Sequence, residues 1–96
     1  MGGREEGVGF GIAFTPRARR ELEQLLKKSD ESVKRRFLEK VDLLAENPAS
    51  GTPLKGRLKG LFSLRFGDYR IIYEIDYAKK EVIVTSVGPR GRIYNR

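Results

Sequence analysis

The chain has 96 residues, 39% of them apolar and 34% charged, which predicts one soluble globular domain. Because it contains no cysteine and no histidine, disulfides, thiolate catalysis and the side chain that most often serves as general base or metal ligand are excluded. The net charge of +7 lies mostly in residues 50–96, which hold 10 Lys and Arg against 4 Asp and Glu. This excess favours a polyanionic partner over charge that serves solubility alone.

The N-terminal segment predicts a short tail followed by a strand. No apolar run approaches the roughly 20 residues that span a bilayer, and the start of the chain lacks the apolar core of a secretory signal. We therefore expect a cytoplasmic protein without membrane association. Residues 1–7 are expected to form a flexible tail, and residues 8–96 a single domain. From Val8 to Phe14, apolar side chains alternate with glycine or alanine, which predicts a strand with one buried face.

Two helices are predicted between Thr15 and Glu46. Thr15 is an N-cap candidate, and Pro16 suits the first helical position. The apolar residues of the first helix recur at helical spacing and are Ala18, Leu22, Leu25 and Leu26. Ser29 and Asp30 are N-cap candidates for the second helix, which ends at Asn47-Pro48. Its apolar face consists of Val33, Phe37, Val41 and Leu44, with Leu38 beside them. The two stripes of this αα-hairpin need a common surface to cover.

The remaining residues predict a basic loop and three strands. Residues 49–60 are rich in Gly, Pro, Lys and Arg, and strand patterns follow at residues 61–66, 69–75 and 81–87. Short turns join these strands as hairpins. The order β-α-α-β-β-β predicts an α+β fold, in which an antiparallel sheet of about four strands carries the αα-hairpin on one face.

The first hairpin places two arginines opposite each other. If Gly67 and Asp68 form a two-residue turn, Phe66 pairs with Tyr69 and Arg65 with Arg70. The face turned towards the helices is then Phe62, Leu64, Phe66, Tyr69, Ile71 and Tyr73. Like charges facing each other across a ladder repel, but a phosphate binds two guanidiniums well. The alternative is that an acid such as Glu74 neutralises the pair.

The C-terminal segment "GPRGRIYNR" adds further candidates for the same site. If the last strand lies beside residues 69–75, its exit brings Arg90, Arg92 and Tyr94 towards the paired arginines. The candidate phosphate contacts nearby are Lys55, Lys59, Ser63 and Arg92. Such a site can bind RNA, stack a base and stabilise charge on a phosphate, and we expect it to need no metal or other cofactor.

Two segments, "FSLRFGDYRIIYEID" (Phe62 to Asp76) and "VGPRGRIY" (Val87 to Tyr94), resemble the RelE/ParE toxins of toxin–antitoxin pairs. With the element order, the resemblance covers nearly the whole chain from Val8 onward. It implies a metal-independent, RelE-like endoribonuclease that cleaves messenger RNA on the ribosome and so inhibits translation. In that reaction the 2′-hydroxyl of the RNA attacks the adjacent phosphodiester, which leaves a 2′,3′-cyclic phosphate. It also implies a partner, an acidic RelB-like antitoxin that wraps the toxin.

The resemblance assigns roles to individual residues. Arg70 matches the arginine that binds and stabilises the phosphate, and Arg90 matches the arginine that stabilises the transition state and donates to the leaving 5′-oxygen. Tyr94 matches the tyrosine that stacks on or orients the cut nucleotide, and Arg65 occupies a position that is basic in RelE-like members. No role is implied for Arg92.

Two departures leave the general base open. Ser63 stands where RelE-like members often have a second basic residue, and Pro89 stands where some members have histidine. Composition leaves Lys55, Lys59 and Glu74 as candidates, because an arginine with a pKa above about 12 is a poor base. ParE-like members share the fold but inhibit DNA gyrase without cutting RNA. The alternatives are therefore a gyrase inhibitor of that kind and a basic RNA-binding module.

Overall fold

A computed structural model describes residues 9–89 of the chain. The elements in chain order are β1 (Gly11–Phe14), α1 (Pro16–Lys28), α2 (Glu31–Glu46), β2 (Thr52–Pro53), β3 (Phe62–Phe66), β4 (Tyr69–Asp76) and β5 (Glu81–Pro89). The five strands form one sheet in the order β1-β5-β4-β3-β2. This arrangement confirms the predicted α+β fold, and the predicted helices and strands follow in the predicted order. The predicted tail, residues 1–7, lies outside the described residues.

The sheet differs from the prediction in direction and in strand number. β1 pairs with β5 in parallel, so that the sheet is mixed, whereas the other neighbouring strands are antiparallel. After β1 the chain passes through both helices and reaches the far side of the sheet, and it then returns strand by strand to β5. The additional strand, β2, pairs Thr52 with Ser63 and Pro53 with Phe62 inside the segment predicted as a loop.

The helices begin where the sequence predicts. The Thr15 hydroxyl accepts a hydrogen bond from the Ala18 amide at 3.1 Å, and Pro16 occupies the first helical position. The Asp30 carboxylate accepts bonds from the amides of Ser32 and Val33 at 3.1 and 3.2 Å, which caps α2. These side chains satisfy amides that have no partner within the first turn.

The helical hairpin covers one face of the sheet. The buried core consists of Ala18, Leu25, Phe37, Leu44, Phe66, Ile71, Tyr73, Val82, Val84 and Val87. The Phe37 ring lies between Phe14 and Phe66, with ring centroids 6.4 and 5.6 Å away, which confirms the predicted phase of α2. Leu38 is 60% exposed, so its predicted place beside the apolar face is wrong. One residue along a helix turns the side chain by about 100°, which carries Leu38 away from the sheet.

A bulge in β5 adjusts which side chains face the core. Ile72 pairs with Ser86 but Tyr73 pairs with Val84, so Thr85 is an extra residue opposite β4. Because of this shift, Val84 and Val87 are both in the core although they are three positions apart, which a regular strand would not allow. The Thr85 hydroxyl donates to the Ile72 carbonyl at 3.3 Å and steadies the irregular pairing.

The basic loop is attached to the core through Tyr73. The Tyr73 hydroxyl donates to the Pro48 carbonyl at 2.6 Å and accepts from the Gly51 amide at 3.0 Å, and burial raises the pKa of this phenol. A Cβ on Gly51 would lie 2.6 Å from the Tyr73 hydroxyl and 2.9 Å from the Ser63 carbonyl oxygen. The backbone therefore approaches β3 and β4 more closely than any other residue would permit.

We expect Gly51→Ala to destabilise the protein by about 1–3 kcal/mol, because the added methyl must displace a buried tyrosine or a strand carbonyl. Chemical denaturation measures this difference. Gly11→Ala is the matched control, because a Cβ there meets no atom closer than 4.0 Å. Equal stability of the two variants would show that the approach at Gly51 is not as tight as described.

Candidate functional site

The two predicted arginines face each other across the β3–β4 hairpin. Phe66 pairs with Tyr69 and Arg65 with Arg70, which confirms the register predicted from sequence. Gly67 has φ of 66°, the left-handed conformation that glycine supplies at the first position of a two-residue hairpin turn. Leu64, Phe66 and Ile71 alternate with the arginines and pack towards the helices, so the guanidiniums belong to the opposite face.

Arg70 is held in place by a neighbour on the same face. Its Nη1 donates to the Ser63 hydroxyl at 2.8 Å, and its Nε is buried. Ser63 itself is only 3% exposed, whereas Arg65 is exposed. The serine that we predict as a phosphate contact thus lies behind the arginine and fixes one of its nitrogens. Arg65 and Arg70 together form the cationic part of this face.

Glu74 does not neutralise the arginine pair. It lies four residues beyond Arg70 on β4, is exposed, and makes no ion pair with any described residue. Its distance along the strand also places it away from a phosphate bound between Arg65 and Arg70, since each strand residue advances the chain by about 3.3 Å. Among the predicted candidates for a general base, Glu74 is therefore poorly placed.

The basic loop presents three exposed cations. Gly56–Leu58 form a short 3-10 turn between Lys55 and Lys59, and both lysines and Arg57 are exposed. Bonds from the Leu54 amide to the Leu61 carbonyl at 2.9 Å and from Lys59 to Gly56 at 3.0 Å shape the loop. None of the three cations pairs with an acid among residues 9–89. Arg57 was not singled out from the sequence, although its position between the two predicted lysines is a signal for it.

The end of β5 lies beside Arg70. Gly88 pairs with Arg70 and Pro89 with Tyr69, so that Arg65, Arg70 and Gly88 form a row across three strands. The strand continues two residues beyond its predicted end at Val87, because a proline is tolerated at a strand terminus, where its missing amide is not needed. The predicted site residues Arg90, Arg92 and Tyr94 lie outside the described residues.

The carboxylate of Glu21, which is not among the predicted site residues, also contacts β5. Glu21 on α1 accepts hydrogen bonds through Oε1 from the Ser86 hydroxyl at 2.9 Å and the Val87 amide at 3.1 Å. Its Oε2 accepts from Arg17 Nε at 3.1 Å. Burial opposes ionisation, but the bonds from Val87, Ser86 and Arg17 together hold the pKa of Glu21 below its ordinary value. The sequence shows only an acid among charged helix residues, which is typical of a solvated face.

The described residues show neither a cluster of metal ligands nor a helix that could span a membrane. Residues 9–89 contain no group of three acids close enough together to hold a metal ion. Neither α1 nor α2 has the length and apolar character of a membrane-spanning helix.

Comparisons with known proteins agree on one family. A model described as the ParE toxin of type II toxin-antitoxin systems, parDE, matches residues 12–94. Toxin RelG of Mycobacterium tuberculosis (strain ATCC 25618 / H37Rv) is 36% identical over 87 residues, which cover 91% of this chain and 98% of RelG. The toxin–antitoxin complex RelBE2 of M. tuberculosis contains a chain with a TM-score of 0.73 and 33% identity, covering 86% of this chain and 100% of that one.

An archaeal protein extends the likeness. In the RelE–RelB complex of Pyrococcus horikoshii OT3, one chain matches with a TM-score of 0.65 and 27% identity, over 86% of this chain and 97% of that one. The range that the family model matches, residues 12–94, includes the helical hairpin, the arginine-bearing β-hairpin and β5. The chain belongs to the RelE/ParE superfamily and is a toxin of a type II toxin–antitoxin system.

Proposed function

We propose that this toxin is a metal-independent endoribonuclease that cleaves messenger RNA on the ribosome and thereby inhibits translation. The observation that carries the proposal is the pairing of Arg65 with Arg70 on the face of the sheet away from the helices, with Arg70 Nη1 bonded to Ser63 at 2.8 Å. A guanidinium held before the substrate arrives needs no reorganisation when charge develops on a phosphate. The similarity to toxins RelG and RelE of M. tuberculosis supports the same function.

The proposed reaction needs positioning and charge stabilisation more than a strong base. The 2′-oxygen loses its proton and forms a bond to the adjacent phosphorus, while the bond from phosphorus to the 5′-oxygen breaks and that oxygen gains a proton. The products are a 2′,3′-cyclic phosphate and a 5′-hydroxyl. Arg70 binds the phosphate oxygens, and Arg90 stabilises the transition state and donates to the leaving oxygen. Tyr94 stacks on the cut nucleotide.

The basic loop suits the approach of the RNA backbone. Lys55 and Lys59 are exposed and unpaired with any described acid, so they can neutralise phosphates on either side of the cut. The site contains no histidine or cysteine, and we propose that the ribosome supplies the in-line geometry that a tuned base would otherwise support. Naked RNA should therefore be cut poorly.

The proposed partner is an acidic antitoxin of the RelB type. The relatives of known structure include toxin–antitoxin complexes from M. tuberculosis and P. horikoshii. The net charge of +7 favours a ligand of opposite sign, and a disordered segment that folds on binding can wrap a toxin of this size.

Inhibition of DNA gyrase without RNA cleavage is the second candidate function. The observation that favours it is the family model that matches residues 12–94, which is that of the ParE toxin. A gyrase inhibitor of this kind would act by binding, so the arginine pair would contact protein or DNA and no bond would break.

One experiment separates the two candidates. The purified toxin is added to a translating extract and the 5′ ends of messenger RNA are mapped, while a supercoiling assay measures gyrase activity. We expect new 5′ ends inside translated messages and unchanged supercoiling. Inhibited supercoiling without new RNA ends would identify a ParE-like toxin, and efficient metal-dependent cutting of naked RNA would contradict the ribosome requirement.

The C-terminal arginines should differ in importance. Arg90→Ala should lower the cleavage rate a hundredfold or more, because Arg90 is proposed to stabilise the charge that develops in the transition state. Tyr94→Ala should cost about 1–3 kcal/mol of transition-state binding, because Tyr94 is proposed to stack on a base. Arg92→Ala should have a much smaller effect. Growth arrest on expression gives a first readout, with antitoxin binding as the control for folding. Relief by Arg92→Ala but not by Arg90→Ala would reverse the assignment.

A further inference from the structure

The proposed cleavage depends on the end of β5, and the structure shows what holds that end. Resting on the proposed function, we propose that Glu21 is a positioning residue for the reaction, which from α1 fixes the end of β5 beside Arg70. Glu21 does not touch the substrate in this account. It acts through the backbone and side chain that it binds.

β5 loses its neighbour on one side before it ends. β1 pairs with β5 only as far as Val84, and the Thr15 amide adds one further bond to the Val84 carbonyl at 3.0 Å. Beyond that point no described strand covers this edge. The Val87 amide donates instead to Glu21 Oε1 at 3.1 Å, and the Ser86 hydroxyl donates to the same oxygen at 2.9 Å. The carboxylate thus replaces the ladder partner that the edge lacks.

Both residues held by Glu21 adjoin the site. Val87 is followed by Gly88, the cross-strand partner of Arg70. Ser86 pairs with Ile72, which in turn pairs with Ser63, the residue that fixes Arg70. The bulge at Thr85 lies directly before these residues and leaves the strand less regular there. A shift of the end of β5 would therefore also displace Arg70, which pairs with Gly88. Misplacement of a catalytic group by about 1 Å can lower the rate a hundredfold.

The carboxylate is well suited to hold the strand at neutral pH. Arg17 binds its other oxygen at 3.1 Å from one helical turn away, which sets the orientation of the carboxylate plane. The groups facing Glu21 are Arg17 on its own helix and the Ser86 hydroxyl and Val87 amide on β5, and the four residues of β1 carry no charge. Because the pKa of Glu21 is lowered, its carboxylate is ionised at neutral pH and accepts these hydrogen bonds fully at any pH above the ordinary pKa of glutamate. The stabilisation is lost as the pH falls through the lowered pKa, where the carboxylate takes up a proton.

The test compares Glu21→Ala and Glu21→Gln with Glu23→Ala, an exposed acid on the same helix. Cleavage of ribosome-bound messenger RNA gives kcat and KM, and hydrogen exchange of the Val87 amide in the full-length toxin reports the bond directly. Glu21→Ala should lower kcat about tenfold to a hundredfold with KM changed less than about twofold, because geometry is lost and not RNA affinity. Exchange of the Val87 amide should rise about tenfold or more in the same variant.

The controls separate positioning from general destabilisation. Glutamine keeps an acceptor oxygen, so Glu21→Gln should restore most of the rate and protection, and Glu23→Ala should match the wild type in both. Unchanged kcat in folded Glu21→Ala, or unchanged exchange at Val87, would overturn the proposal. If the wild-type toxin cuts no messenger RNA, the proposed function fails while the exchange measurement still decides whether Glu21 holds the strand.

Discussion

Replacing Arg70 by alanine should abolish most messenger RNA cleavage while leaving the toxin folded. The expected loss is about 3–4 kcal/mol of transition-state stabilisation, or a hundredfold or more in rate, because in the proposed mechanism this guanidinium stabilises the charge that develops on the phosphate. Arg70 lies between Arg65 and Gly88 in the row across three strands, and its Nη1 donates to Ser63. Single-turnover cleavage of ribosome-bound message measures the effect.

Variants around Arg70 sharpen that prediction. Arg70→Lys keeps the charge but not the planar set of donors, so it should recover only part of the rate. Ser63→Ala should cause a smaller loss than Arg70→Ala, since it removes one hydrogen bond to the guanidinium but keeps the guanidinium itself. Arg35→Ala, an exposed arginine of α2, is the matched control and should cleave like the wild type. Wild-type cleavage by Arg70→Ala would remove the arginine pair from the mechanism.

Replacing Phe37 by alanine should cost about 3–5 kcal/mol of unfolding free energy. Phe37 is 4% exposed and lies between Phe14 and Phe66, so its removal leaves a cavity between α2 and the sheet. A loss of this size is a large part of the stability of a small domain, typically about 5–15 kcal/mol. Chemical denaturation measures the change.

Leu38 provides the control for that experiment, because it is the next residue on the same helix and is 60% exposed. Leu38→Ala should change the stability by no more than about 0.5 kcal/mol. Equal losses for the two variants would mean that the helix is rotated relative to the face described.

Local features of the fold were predictable because their causes lie close together in the chain. Thr15 and Asp30 cap their helices through amides at most three residues away. The register of the β3–β4 hairpin follows from a two-residue turn. The parallel pairing of β1 with β5 joins residues about 70 positions apart, and alternation of apolar residues does not encode the direction of a neighbouring strand. The bulge at Thr85 could not be predicted for a related reason, since a bulge is defined only by how the strand pairs with its neighbour, here β4.

The site was predictable to the extent that it depends on residue type and hairpin register. Arg65 and Arg70 follow from both, and their opposition is confirmed. The roles given to Arg90, Arg92 and Tyr94 come from the resemblance to the family and stay predictions. Glu21 could not be predicted, because its function depends on where α1 crosses the open edge of β5. Ser63 looked like a phosphate contact, since sequence does not show that its hydroxyl is buried behind Arg70.

The chemistry of the cut ends tests the proposed ribonuclease most directly. Message from a translating extract treated with the toxin is ligated to an adaptor with and without prior phosphorylation of its 5′ ends. We predict new internal ends that ligate only after phosphorylation, that require the ribosome, and that are absent with Arg70→Ala. No new ends with the wild-type toxin, or ends that carry a 5′-phosphate, would contradict cleavage by 2′-hydroxyl attack.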